Sequence, residues 1–547
     1  MARTNAAEVE GEEAAAAGHV YLLEAAGSAI GGLLTGLVLV RFLSPMQVAA
    51  LLLVANIVLA LLLLVRWTRL RVAAIGTCGV VAAAFLVGLA APRVEQFFRT
   101  REWPGFQVLD ARESLYGSLM ATETGAMRSV YENGVLAANA PDPEAAEEAV
   151  HLALLEHPAP RRVLLVGGSA TGAVSEALKH PTVERVDVVE LDPELLRLVH
   201  ERLKQQGLAL FHDRRVRVHV GDGRRYVAAS RDIFDAIVVI GPDPETAALN
   251  RFYTVEFFRA ARARLASGGV FSFAVRSQEE ALTPELRAFL QSMKKTLDAV
   301  FPYVVAIPGD TMRFVAATEG GVLTDRADVL VARLKARGLQ TQYVREYFLP
   351  FRMAPERMDE ARIELAPNAE TRINRDFAPI AYYENAVLWS GEFRSVSARW
   401  MEAAARLPFL WVLCAAGLIS ALLALAGLRS ARSAALVAMG STGLTLMAIQ
   451  VFLLLAFQAL CGYVYRELTL LVGLTMAGMA VGAWWGLRRP LKRVAPVQAA
   501  LACALPLLMA VAGGLRLLEE TSLPGWASQV VFAALAAAAG ALGGVQF

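Results

Sequence analysis

The stretch RVLLVGGSATG at residues 162–172, followed by RVDVVELDP at residues 185–193, decides the fold of this chain. A short run rich in Val and Leu ends at Gly167-Gly168 and opens into a helical pattern, which reads as strand, tight turn and helix. The second run repeats the unit. It ends in Glu190, and Asp192-Pro193 then supplies a capping carboxylate and a proline in the first helical turn. Further strand runs follow at VRVHV (216–220), FDAIVVI (234–240) and GVFSFAV (269–275), separated by helical patterns. Strands alternating with helices predict a parallel, doubly wound α/β sheet. YVVAIP and TMRFVAA, around Pro308-Gly309-Asp310, predict a hairpin closing the sheet edge. Upstream, FQVLDA, GSLMAT and MRSVYENGVLAAN predict a small β meander turning at Asn133-Gly134. A helix from near Asp142 then carries Glu144, Glu147, Glu148 and His151.

That domain is embedded in a more apolar chain. With 56% hydrophobic and 19% charged residues over 547 positions, the whole is too apolar for an ordinary soluble enzyme. Apolar runs near the length of a membrane-crossing helix lie at Val20–Val40, Met46–Val65 and Val72–Pro92. Others lie at Leu407–Leu428, Ser433–Tyr465, Leu468–Leu487, Val494–Leu515 and Thr521–Phe547. The expected organisation is an acidic tail (1–19), three transmembrane helices (20–92) and a small β domain (93–140). A nucleotide-binding α/β domain (141–320), a linker extension (321–406) and five transmembrane helices (407–547) complete it. Glu8, Glu10, Glu12 and Glu13 occupy the place of a basic n-region, so no cleaved signal peptide is expected. The net charge of +2 is spread along the chain, which gives no basic stripe for nucleic acid. Cys78, Cys414, Cys461 and Cys503 all fall in or beside apolar runs. A disulfide framework or zinc site in the soluble part is thereby excluded, and no metal is expected.

The candidate site begins at Gly167 and Gly168, where the backbone can approach a ligand at a helix N-terminus. The run lacks the second glycine of a dinucleotide G-x-G-x-x-G. Glu190, at the next strand end, suits the two hydroxyls of a ribose. Asp222, in Gly221-Asp222-Gly223 at the third, can accept from an adenine amino group. Together they outline an adenosine site; the plainer alternative makes Glu190 and Asp222 ordinary solvated strand ends. Asn250, Arg251, Tyr253 and Thr254 form a polar run that either lines the same cleft or locks a loop onto a helix with Thr254 as its cap.

The runs GGSATG, VDVVELDP, VGDGRRYV and PDPETAALNRFYTVEFF resemble the spermidine synthase family of aminopropyltransferases, and the similarity extends over roughly Gln107 to Ala317. YLLEAAGSAIGGLL, LLLAFQALCGYVYRELTLLVGLTMAGMAVG and INRDFAPIAYYENAVLW resemble the membrane-fused branch of that family. The resemblance implies the methyltransferase-like variety of the fold and decarboxylated S-adenosylmethionine, or a related adenosyl compound, as ligand. Its holders would be Gln107, Gly167, Gly168, Glu190, Asp222 and Gly223, with a small amine substrate near Glu147, His151 and Tyr253. In the family one Asp in the Gly-rich turn binds the aminopropyl amine, and another at the end of the fourth strand acts as base. Here those positions are Ala170 and Ile240, and Ala145 stands where an aromatic polyamine contact is expected. Losing a positioned acid or base costs about 10² to 10⁴ in rate, so ordinary spermidine synthesis is not expected. Asp243, between Pro242 and Pro244, is the surviving carboxylate. It serves as catalytic base or cation holder, or else simply caps a rigid Pro-flanked turn.

Lys and Arg in short loops favour the cytoplasm. The loops opposite the soluble domain hold Arg66, Arg69, Arg71, Arg429, Arg432, Arg488, Arg489, Lys492 and Arg493, against Arg41, Arg466 and Arg516 on its own side. The count predicts a bacterial inner-membrane protein with its soluble domain facing outward. A cytoplasmic domain is the alternative, given a cytosolic nucleotide and the flanking Arg93, Arg99, Arg394 and Arg406. The resemblance further implies a partner subunit completing the helical bundle within the lipid bilayer. A non-catalytic subunit or a transport or sensing module is therefore the competing function. Tyr382, Tyr383, Glu384 and Trp389 in the linker read as interfacial anchors or as the wall of a cation site.

Overall fold

The computed structural model describes residues 2–39, 42–43, 45–64, 103–203, 209–279, 281–392, 409–461, 465–488, 495–519 and 525–545, with single positions at 76, 79, 93, 97 and 101. In chain order, helices α1 (Ala2–Leu34) and α2 (Pro45–Leu64) precede a four-stranded antiparallel meander. Its strands are β1 (Gln107–Glu113), β2 (Ser118–Thr124), β3 (Met127–Glu132) and β4 (Val135–Ala140). Asn133 and Gly134 join β3 to β4 with φ of +52° and +82°, the left-handed pair that a two-residue hairpin turn requires.

The α/β domain then runs α3 (Pro143–Leu154), β5 (Arg162–Gly167), α4 (Ala173–Leu178), β6 (Arg185–Glu190), α5 (Pro193–Arg202), β7 (Val216–Val220) and α6 (Gly223–Ala229). It continues through β8 (Phe234–Ile240), α7 (Ala247–Asn250), α8 (Val255–Arg262), β9 (Leu265–Arg276), α9 (Pro284–Asp298), β10 (Tyr303–Ile307) and β11 (Thr311–Ala317). The sheet order is β10-β11-β9-β8-β5-β6-β7. Strands β5 to β9 are parallel, and β11 runs antiparallel to both β9 and β10. The sheet is therefore mixed, its expected parallel part closed by the expected hairpin. This is the methyltransferase-like arrangement. Its strand order reverses between β5 and β8, where such sheets open a crevice at their C-terminal ends.

Two apolar layers cover the sheet. One gathers Leu152, Val163, Leu165, Val186, Val238 and Val315; the other is rich in phenylalanine, with Phe257, Phe258, Phe271, Phe273 and Phe314. Because both faces are covered, β5 reads through Val163–Val166 and β8 through Ala236–Ile240 as apolar runs rather than as alternating ones, while β6 carries the buried Asp187 among its valines. Asp142, Asp192, Asp222, Thr254 and Thr283 each accept a backbone N–H at a helix start, which fixes where the strands hand over to helices.

The linker extension carries α10 (Ala327–Ala336), α11 (Phe348–Arg352), α12 (Pro355–Glu364) and α13 (Ile380–Glu392). The C-terminal apolar runs form α14 (Phe409–Gly427), α15 (Ala431–Cys461), α16 (Tyr465–Arg488), α17 (Ala495–Glu519) and α18 (Gly525–Gly544). Among the described residues, Ala16–Leu39, Ser433–Cys461, Thr469–Arg488 and Ala527–Gly544 are long and apolar enough to cross a membrane, and Met46–Ala60 and Leu413–Leu425 are shorter apolar helices. Of the run Val72–Pro92 only Gly76 and Gly79 are among the described residues. Helices α16 and α18 meet through glycines: a Cβ on Gly482 would lie 2.2 Å from the Ala541 carbonyl oxygen, and one on Gly544 2.1 Å from that of Met479. Such small-residue contacts let backbones approach where no hydrophobic gradient drives association. Gln498 adds a polar contact between helices, donating to the Ala438 carbonyl and the Thr442 hydroxyl, both at 2.9 Å.

Candidate functional site

At the C-terminal end of β5, Gly167 and Gly168 adopt φ of +79° and +78°. A Cβ on Gly167 would stand 2.3 Å from the Ile240 carbonyl oxygen, so the turn admits glycine alone at that point. Ser169 follows, buried, and its hydroxyl donates to Glu190 Oε2 at 2.7 Å. Glu190 Oε1 accepts the Leu191 N–H at 2.8 Å. Burial raises the Glu190 carboxyl above the usual range, against the lowering pull of Ser169 and the Leu191 and Asp192 amides. Glu132, brought in from β3, is pushed up to about 7 by burial, with Glu190 and Asp192 adding repulsion. Three carboxylates converge here. An acidic turn disfavours phosphate and suits hydroxyl donors or a cation.

The other nucleoside-side residues are placed differently from one another. Gly223 packs under the turn, where a Cβ would lie 2.5 Å from Val166 Cγ1. Gln107 sits exposed at the start of β1, opposite Glu123. Asp222 is already engaged: Oδ1 accepts the Arg225 N–H at 2.9 Å and Oδ2 pairs with the buried guanidinium of Arg251. That guanidinium lies 5.1 Å from the Phe252 ring centroid. An adenine amino group at Asp222 would have to displace an ion pair sheltered from water.

On the acceptor side, the family's first carboxylate position is the buried Ala170, and Ile240 packs its side chain 3.0 Å from where a Cβ on Gly168 would stand. A cavity of about 140 Å³ opens between β4, the start of α3 and the glycine turn, lined by Leu136, Ala137, Ala138, Asn139, Asp142, Ala145 and Thr171. Arg313 is 5% exposed on β11, on the sheet face where Ile240 packs, and no carboxylate lies within ion-pair distance of it among the described residues. Burial pulls its guanidinium down to about 10, with Glu148 countering; Glu148 itself accepts from Arg352 at 3.2 Å.

Two residues expected at the substrate face inward instead. Glu147 is fully buried, and its carboxylate accepts the backbone N–H groups of Gln342, Tyr343 and Val344 at 2.7, 2.8 and 2.9 Å, clasping the linker extension to α3. His151 is fully buried in a chain that runs Glu176, His151, His180, Arg337. The polarity of this chain follows from its end: Arg337 can only donate, so His180 accepts at Nδ1 and donates from Nε2 to His151 Nδ1 at 2.9 Å. His151 then donates from Nε2 to Glu176 at 3.0 Å. Burial, with His151 and Arg337 adding, pushes His180 down to about 2, which keeps it neutral. Burial would raise Glu176, but the hydrogen bonds of His151 and Lys179 outweigh it and hold the carboxylate low. Both residues are fixed by the protein because their helix face looks into the core.

Asp243 lies in the loop after β8, three residues past Ile240. Its Oδ1 accepts the Arg276 N–H at 3.1 Å, and Oδ2 stands 3.5 Å from Arg276 Nε. Burial pushes its carboxyl up to about 6, moderated by Arg276. Tyr253 is buried, and its phenol donates to the Pro242 carbonyl at 2.8 Å, so it props the Asp243 turn. Burial raises that phenol well above its ordinary value, with Asp243 and Glu245 adding. The polar run beside it is a lock. Thr254 caps α8 and donates to Asp376 at 2.8 Å, Asn374 donates to Asn250 at 2.9 Å, and Arg224 grips Asp376 with two bonds of 2.7 and 2.6 Å.

Sequence reasoning passed over Ser169, although a hydroxyl two residues past a strand end and 21 residues before a strand-end Glu was there to be weighed. Arg251 as the partner of Asp222, and Arg313, had no local signal.

A family model described as the spermine/spermidine synthase domain matches residues 144–319. Polyamine aminopropyltransferase 2 of Hyperthermus butylicus is 35% identical over 177 residues, covering 32% of this chain and 57% of the relative. Polyamine aminopropyltransferase 1 of Bacillus cereus is 31% identical over 201 residues, covering 36% of this chain and 70% of the relative. The chain thus spans little more than half of the first relative's length, and most of its own residues lie outside both matches. A crystal structure of a spermidine synthase in complex with the transition-state analogue AdoDATO aligns with a TM-score of 0.41 at 21% identity, covering 47% of this chain and 88% of that one.

Proposed function

The chain belongs to the spermine/spermidine synthase family, and from that premise we propose that its α/β domain binds an adenosyl compound, with decarboxylated S-adenosylmethionine as the best candidate. The observation that carries this reading is the Ser169–Glu190 pair beside the left-handed glycine turn. A carboxylate already ordered by a hydroxyl and amides is preorganised to accept two ribose hydroxyls. In this reading Asp243 holds the ligand's primary ammonium at the mouth, while Gln107 closes the nucleoside side.

The acceptor is not a diamine. Ala170 and Ile240 carry no charge, Glu147 and His151 face the core, and Arg313 places a buried cation on the same face of the sheet. A diammonium would lack the two carboxylates that the family's chemistry needs. We read the apolar helices as a membrane anchor, with the soluble domain outward as the loop arginines favour. A non-catalytic subunit that uses the synthase fold for binding or docking is the second reading, favoured by the Asp222–Arg251 pair.

Calorimetry on the detergent-purified full chain tests the first reading. Decarboxylated S-adenosylmethionine and methylthioadenosine are expected to release binding heat, with no aminopropyl transfer to putrescine. Absence of heat with both ligands removes the adenosyl reading; spermidine formation removes the statement about the acceptor.

A further inference from the structure

The register of the sheet lays out a row of positions across the C-terminal ends of its parallel strands. Gly167 on β5 pairs with Ile240 on β8, and Arg313 on β11 pairs with Ala274 on β9. Val239 pairs with Phe273, which sets Ile240 level with Ala274. Residues opposite one another on neighbouring strands point to the same face, so Ala274 and Arg313 share the face on which Ile240 packs. Strands lie about 4.8 Å apart, which places the Arg313 backbone about 10 Å from Ile240 and about 14 Å from the glycine turn. Helix α3 covers β8 and β9 on that face, with Val150 and Leu152 in the same apolar layer as Val315. The helix lines the 140 Å³ cavity with Ala145 and, one turn on, carries Glu148.

The row ends in a cation that has no counterion of its own. Arg313 donates from Nη1 to the Ser272 hydroxyl at 3.4 Å, longer than a well-formed hydrogen bond, and its buried Nε has no acceptor among the described residues. Glu148 is the carboxylate that acts on it, yet Glu148 accepts from Arg352 at 3.2 Å. Arg352 is equally buried and stands 3.6 Å from Glu279, which Arg357 engages at 3.0 Å. Glu144 and Asp310 are exposed and act on Glu148. Burial pulls the Arg313 guanidinium down to about 10, which still leaves it ionised at neutral pH. A buried charge is costly until a partner neutralises it, and the planar fork of a guanidinium fits a carboxylate or a phosphate.

We propose that Arg313 receives the anionic head, carboxylate or phosphate, of a second ligand whose short apolar stem lies along Ala274 and Ile240 toward the glycine turn. This inference rests on the adenosyl reading above, which makes the row a place for a second ligand, and it deepens that reading by naming the ligand's chemical class. Where the family's chemistry calls for carboxylates that hold a cation, this chain offers an apolar row that ends in a guanidinium.

The test uses the full chain in detergent and three probes that share one stem: butyrate, butyl phosphate and butylamine. Affinities are read by ligand-observed NMR, with empty micelles as the blank, both without and with saturating methylthioadenosine. At least one of the two anions is expected to bind about tenfold or more tightly than butylamine, the worth of a hydrogen bond to a charged group. Which anion binds better tells a carboxylate ligand from a phosphate one. Arg313→Met keeps an unbranched apolar stem and is expected to abolish the preference, while Arg313→Lys keeps part of it. Glu148→Gln removes the competing carboxylate and is expected to raise anion affinity severalfold, which an arginine of merely structural role would not predict. Methylthioadenosine affinity is expected to stay unchanged in the variants and reports that the domain remains folded. Butylamine binding as tightly as both anions, or a preference that survives Arg313→Met, overturns the inference and leaves the adenosyl reading intact. Should Arg313→Met fail to fold, an anion affinity unchanged or lowered in Glu148→Gln overturns it instead. Failure of methylthioadenosine to bind the unmodified protein removes the adenosyl reading, and the head-group preference measured without it separates that failure from loss of the anion site.

Discussion

Replacing Glu132 by Gln is expected to stabilise the soluble domain and to do so only above acidic pH. Glu132 stands in the β meander against Glu190 and Asp192, and its carboxyl is pushed from 4.5 to about 7, by burial first and by those two neighbours second. A folded-state value above the unfolded one means that the folded protein binds the proton more tightly. The associated stability is fully present below the unfolded value and is lost as pH rises through the folded value. A rise from 4.5 to about 7 makes the loss about 3 kcal/mol once pH exceeds about 7. Gln keeps the shape without the charge and escapes that loss. For a domain of this size about 3 kcal/mol corresponds to a rise of roughly 6–12 °C in Tm. Differential scanning calorimetry of both proteins across pH is the assay. The two curves are expected to coincide near pH 4 and to separate between about 4.5 and 7. Parallel curves, or a Gln variant less stable at neutral pH, would refute the convergence of carboxylates at the turn. Because Glu132 and Glu190 repel each other, the double Gln variant is expected to gain less than the sum of the single ones.

Glu190→Gln leaves one acceptor where a ribose offers two donors. Its affinity for methylthioadenosine is expected to fall about 10- to 100-fold by calorimetry, the worth of one charge-assisted hydrogen bond, while apo stability holds or rises. Glu147→Gln turns a carboxamide NH2 donor toward the backbone N–H groups of residues 342–344 and is expected to cost about 2–4 kcal/mol, with limited proteolysis cutting near Tyr343 before the rest of the domain. Gly482→Leu puts a side chain into the Ala541 carbonyl and is expected to separate α16 from α18, read as lost cross-linking between cysteines placed on the two helices. All four native cysteines lie outside residues 93–406, so Glu356→Cys can be labelled in intact cells. The loop arginines predict reaction with a membrane-impermeant thiol reagent, and protection would reverse the orientation.

Much of the fold was legible in the sequence because its determinants are local. Apolar runs that end at glycine mark β5 and β8, and a valine-rich run ending at Glu190 before Asp192-Pro193 marks β6. Asp142, Asp192 and Thr254 cap helices through contacts only two or three residues long, and Asn133-Gly134 selects its own turn. The positions of Gly167, Gly168 and Glu190 around one turn also follow from strand ends alone, once the sheet is parallel. What each side chain does there was decided by tertiary structure. Glu147 reads as a ligand residue along the chain, yet its partners lie 195 to 197 residues away, and Asp243 takes a backbone donor from an arginine 33 residues on. Asp222 reads as an adenine acceptor in one dimension and is an ion-paired cap in three. The physical reason is common to these cases. A buried carboxylate must be satisfied by whichever donors the packing brings, and that choice is made across the fold rather than along the chain.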